Sequence, residues 1–113
     1  MSAKSDTNAL SKAQVAQIYM AKSDALPDGK LARPIDQPEG TAVRNEFYQK
    51  VVGKDAAQMK AYWSQLVFTG KAQPPRVESG DAAVKQAVAA NASALGYINE
   101  NAVDGSVKVV FRP

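Results

Sequence analysis

The sequence predicts an α/β fold: a small sheet flanked by about four helices. Three observations carry this. Short alternating apolar runs, read as strands, are interleaved with segments of helical period. The helical segments open on capping signatures and close on glycine- or proline-containing turns. The chain has 113 residues, 45% hydrophobic and 22% charged, which suits one globular domain with a real core.

Residues 1–9 are polar and give no element. They are expected to be a flexible N-terminal segment or the remnant of a first strand, with the body of the domain at 10–113. The first helix starts at Ser11, a good N-cap, and Gln14 completes a capping box. Leu10 and Val15 fit a hydrophobic staple, and Val15, Ile18 and Tyr19 form the apolar stripe. Pro27-Asp28-Gly29 is a turn. "KLARPID" alternates at Leu31, Arg33 and Ile35 and reads as a strand, with Pro34 placing it at an edge or near its end. After "QPEG", Val43, Phe47 and Val51 share one helical face, flanked by Tyr48 and Val52, and Gly53 closes the helix.

Asp55 and Gln58 form a second capping box. Met59, Tyr62, Trp63, Leu66 and Val67 then follow the strongest helical pattern in the chain, ended by Gly70. "KAQPPRVESG" reads as a loop with a stiff Pro74-Pro75 centre. A fourth helix starts near Asp81, turns Val84, Ala87 and Val88 inward and stops about Asn91. "ALGYIN" reads as a short buried strand with Gly96 at a close backbone approach. Val107, Val109 and Phe111 alternate with Lys108, Val110 and Arg112, predicting a terminal strand.

Composition removes several function classes. The chain has neither cysteine nor histidine, so disulfides, Cys/His metal sites and Ser-His or Cys-His nucleophile pairs are excluded. No apolar run approaches the length of a membrane helix, so no membrane insertion is expected. The net charge is +3, but the lysines are spread along the chain and only Lys71 and Arg76 group together. A nucleic-acid binder concentrates its charge, so no nucleic-acid partner is expected. Asp24 and Asp28 lack the alternating acids of a calcium loop, Glu39 and Glu46 are read as surface charges, and no catalytic set is found. The expectation is a non-enzymatic protein without metal or cofactor.

"LSKAQVAQIYMAKSDALPDGK", "IDQPEGTAVRNEF", "YWSQLVFTGKAQPP" and "AVAANASALGYINENAVDGSVKVV" together resemble the phosphate ABC-transporter substrate-binding proteins, and more narrowly their small single-lobe relatives. The resemblance covers nearly the whole chain from Leu10. It implies a three-layer-like single lobe of a type II periplasmic binding protein, and export to the periplasm or cell envelope with a signal peptide removed. It also implies transport of a solute, phosphate or another small oxyanion. The single-lobe relatives open with an apolar strand where this chain has "MSAKSDTN". A sheet lacking that strand has an exposed edge able to pair with a protein partner or a second copy.

The loop at Glu39, Gly40, Thr41 and Arg44 is the candidate anion site. A helix start leaves free N–H groups in a positive dipole end, glycine admits a ligand to the backbone, and Arg44 adds a charge-assisted donor. The family resemblance gives an Arg-x-Asp-x-Ser-Gly-Thr pattern here. Aligned on Gly40 and Thr41, this chain has Ile35, Gln37 and Glu39 in place of the arginine, aspartate and serine. Two functions are therefore carried forward: weak oxyanion binding, at about millimolar affinity or worse, or an envelope protein-interaction or assembly module that has lost solute binding.

Overall fold

A computed structural model describes Met1–Arg112. The elements run α1 (Lys12–Tyr19), β1 (Arg33–Asp36), α2 (Ala42–Phe47), a π turn (Tyr48–Val52), α3 (Ala56–Phe68), β2 (Arg76–Val77), α4 (Asp81–Ala89), β3 (Ala94–Leu95) and a 3₁₀ turn (Glu100–Ala102). The strands form one parallel sheet in the order β2-β1-β3, with Ile35 opposite Arg76 and Arg33 opposite Ala94. The connection from β1 to β2 moves one way across the sheet, and that from β2 to β3 moves back over β1. Right-handed crossovers in opposite directions put their helices on opposite faces.

Two cores follow from this layering. On one face α1, the π turn and α3 bury Val15, Ile18, Tyr19, Tyr48, Val51, Met59 and Trp63 against Leu95. On the other, α4 packs Val84 and Val88 against Ile35 and Ala94. Adjacent residues Ala94 and Leu95 thus serve opposite faces, as a strand requires.

Local signals hold where they are self-contained. Both capping boxes form, Ser11 with Gln14 and Asp55 with Gln58, each reciprocal through side chain and backbone. The staple residues Leu10 and Val15 are both buried.

Four readings are corrected. Of the two places read for Pro34 the edge is wrong, since β1 is central, and the strand end is right, since Pro34 is the second residue of Arg33–Asp36. The N–H of Arg33 donates toward β3, to Ser93, so the nitrogen of Pro34 turns toward β2, where pairing starts only at Ile35. No ladder bond is missing. The "KAQPPRVESG" stretch is not all loop, since Arg76–Val77 pairs with β1. Among the described residues the terminal alternation does not make a strand: only Val107 forms a bridge, with Ser2, and the buried residue is Val110 rather than Val109. Leu10 N–H donates to the Val110 carbonyl, and both side chains are buried in the same core. On α3, Val67 is 50% exposed instead of packed.

Residues 1–9 carry fixed contacts. Met1, Ser2, Ser5 and Thr7 are buried, Lys108 N–H donates to the Met1 carbonyl and Ala3 N–H to that of Ser106. The helix from Ala42 ends at Gly53, in the left-handed region at φ 77°, as its sequence signals. Its second half winds as a π turn, so Tyr48 and Val51 are buried while Val43 and Phe47 are half-buried.

Gly96 sits under α4. A Cβ there would lie 2.7 Å from Val84 Cγ1 and 2.9 Å from Val88 Cγ2. Gly96→Ala is therefore expected to destabilise the protein by about 1–3 kcal/mol in urea denaturation, and Val88→Ala in the same chain to recover part of that loss.

Candidate functional site

The carboxyl end of β1 leads into the candidate loop. Asp36 ends the strand and is 2% exposed. Its side chain alternates away from Ile35, toward the face that carries the π turn. There Tyr48 Oη donates to Asp36 Oδ2 at 2.5 Å, and the Tyr97 hydroxyl donates to Oδ1. The backbone N–H of Gln37 donates to Oδ1 at 2.9 Å and to Tyr97 Oη at 3.1 Å. A buried carboxylate is tolerated only with such a set of donors.

The surrounding groups form a continuous network. Gln37, also buried, donates from Nε2 to Asp81 Oδ1 at 2.9 Å and to the Tyr97 carbonyl at 2.8 Å. Tyr19 donates to the carbonyls of Ile35 at 2.8 Å and Leu95 at 3.0 Å. The Phe47 and Tyr97 rings stack at 4.0 Å, and Tyr19 meets both edge-on. Burial, then the Asp36 charge, pushes the Tyr48 and Tyr97 phenols far above their ordinary range, and burial does the same to Tyr19. These hydroxyls are held as protonated hydrogen-bond donors.

Arg44 turns back into this network. Its Nη1 donates to the Gln37 carbonyl at 3.0 Å and stands 3.8 Å from Asp36 Oδ2. The guanidinium carbon lies 5.5 Å from the centre of the Tyr48 ring. Thr41 stands at the N-cap position but makes no side-chain cap, and its Oγ1 donates to the Pro38 carbonyl at 2.7 Å. Gly40 has φ 87°, a conformation that needs glycine. Glu39 and Gly40 are exposed.

The four candidate residues are therefore neighbours with different environments. Glu39 and Arg44 border a cavity of about 610 Å³ together with Asp36, Trp63, Phe68 and Pro75. Gly40 and Thr41 do not line it. The first-turn N–H groups of Ala42 and Val43 are the donors a helix start leaves free. Of the residues aligned by resemblance, Ile35 lies in the core and Gln37 in the network. The buried acid beside the loop is Asp36, which the sequence reading passed over. The signal that could have found it is its place at the end of a parallel strand, where α/β sheets gather functional groups.

Comparison with known proteins places the fold. A protein from Clostridium perfringens, described as a phosphate ABC transporter substrate-binding protein and solved with bound phosphate, is similar in structure, with TM-score 0.74 and 21% identity. The chain shares the fold of a part of that protein, a small α/β unit around a three-stranded parallel sheet. The likeness covers 97% of this chain and 42% of the other, so this chain spans less than half that protein's length. No family model matches the chain, and no curated protein matches it. No helix among the described residues is long and apolar enough to cross a membrane.

Two outcomes test the network. Tyr48→Phe removes one donor from a buried carboxylate and is expected to cost about 2–3 kcal/mol of stability, read by denaturant unfolding. The alkaline behaviour follows from the raised phenols. The folded state holds these protons more tightly than the unfolded chain, whose tyrosines titrate near pH 10. Their stabilising contribution is full below about pH 10 and is lost as pH rises toward the folded values. Phenolate absorbance from Tyr19, Tyr48 and Tyr97 is expected to appear only together with unfolding.

Proposed function

We propose that this chain is a non-enzymatic, solute-binding-like lobe related to phosphate ABC transporter binding proteins, acting in the periplasm or cell envelope. It takes phosphate or another small oxyanion weakly at the loop of Glu39, Gly40, Thr41 and Arg44. The observation that carries this reading is the likeness in fold, over nearly the whole chain, to a protein solved with phosphate bound. The loop offers first-turn N–H groups beside a glycine that lets a ligand approach.

Local geometry keeps the affinity low. The Thr41 hydroxyl and the Arg44 guanidinium already donate inward, to the Pro38 and Gln37 carbonyls. The exposed Glu39 carboxylate opposes an arriving anion. Half-saturation at about 1 mM, near −4 kcal/mol, is the expected scale.

A second reading is a protein-interaction or assembly module that has lost solute binding. The exposed apolar residues Val67, Phe68 (90% exposed) and Val77 favour it.

A backbone amide NMR titration at low salt separates the two. Phosphate or sulfate is expected to give saturable shifts at Gly40, Thr41, Ala42 and Val43, weakened in Arg44→Ala. No shift at millimolar anion would overturn solute binding and leave the interaction reading.

A further inference from the structure

The cavity of about 610 Å³ beside the candidate loop lies on the β2 side of the sheet, bordered only by residues from Asp36 to Val77. Residues 1 and 107–112 line a different hollow, beside β3. The apolar walls of the first cavity are Met59 and Trp63 from α3, with Pro74, Pro75 and Val77. Phe68, the last residue of α3, also borders it and is yet 90% exposed, so its ring projects into water beside the recess. Among the described residues five large apolar side chains are exposed, and three of them, Val67, Phe68 and Val77, gather here. Such clustering marks a contact surface, where scattered exposure would not.

The charges at this place are of both signs. Asp36 and Arg44 are turned toward each other and into the buried network. Glu39 and Lys60 are different. Both border the cavity, both are exposed, and among the described residues neither takes part in an ion pair.

We propose that this face pairs with the same face of a second copy about a twofold axis, each Phe68 entering the other copy's cavity and each Glu39 meeting the other copy's Lys60. A twofold contact uses one patch twice. It therefore needs a projection and a recess, and a negative and a positive group, within that one patch. This patch holds all four. A strongly acidic or basic partner would set Glu39 or Lys60 against its own sign. The inference rests on the interaction reading above and narrows its partner to another copy of this chain. The patch has fewer residues than the about 20–30 a side of a standard interface, so association is expected only at about 0.1 mM and above.

The test is sedimentation equilibrium of the full chain at low salt, up to about 1 mM. The apparent mass is expected to rise from 12.0 kDa toward twice that value. Phe68→Ser is expected to weaken association about tenfold or more. E39K and K60E each put like charges opposite one another at two points and are expected to weaken it about fivefold or more. All three side chains are exposed, so these variants keep the fold. An equimolar mixture of E39K and K60E is expected to recover association, because each variant then meets the opposite sign across the axis. Unchanged association of Phe68→Ser, or no recovery in the mixture, would overturn the proposal. A chain that stays monomeric at about 1 mM would overturn it too, and the apolar dye 8-anilinonaphthalene-1-sulfonate then separates two failures. Dye bound by the chain and lost in Phe68→Ser would sink the self-pairing alone and leave the face open to another partner. No dye bound would sink the interaction reading as well.

Discussion

The buried Asp36 carboxylate is the interaction on which the rest of the fold depends. It sits at the end of the central strand and accepts hydrogen bonds from Tyr48 on the π turn, from Tyr97 beyond β3 and from the Gln37 N–H. These groups come from three separate stretches of chain. Removing any one leaves a buried carboxylate short of a donor, which costs more than the net worth of an ordinary hydrogen bond. The carboxylate therefore fixes how the helix after β1 leans on the sheet and how far the chain after β3 can stray from it.

The same arrangement constrains function. Arg44, the strongest donor available to an anion, is drawn toward Asp36 and the Gln37 carbonyl. The loop from Pro38 to Thr41 is closed on itself through the Thr41 hydroxyl. The closed geometry of this loop and the proposed weak attraction for a free anion have one cause. In the proposed reading, the polar groups that would serve a ligand are engaged in holding the fold.

How much of this was legible depended on range. Capping boxes are written within four residues, and both were read from the sequence. The α/β order and the inward residues of α4 were legible for the same reason. The edge reading of Pro34 failed, and the strand-end reading held, because its missing donor matters only if a partner strand lies opposite it, which sequence does not state. The two-residue β2 is too short to show a period of two. Val109 was chosen over Val110 because alternation gives a period but not its phase. The loop residues Glu39, Gly40, Thr41 and Arg44 were singled out as candidates by their own chemistry, but the direction in which Arg44 points was not legible. It is set by Asp36, and Asp36 is secured by a tyrosine 61 residues away.

The π turn at Tyr48–Val52 has a further consequence. A π turn holds one residue more than the α turn it replaces. Losing one residue there would restore regular winding and leave the chain on either side in place, because the surplus residue is held within about the same rotation. What would change is which side chains face inward within the turn, Tyr48 and Val51 among them. A residue lost from the α turn before it would instead rotate everything beyond by about 100°. Between Ala42 and Gly53 the chain is thus more tolerant of a deletion inside the π turn than of one ahead of it.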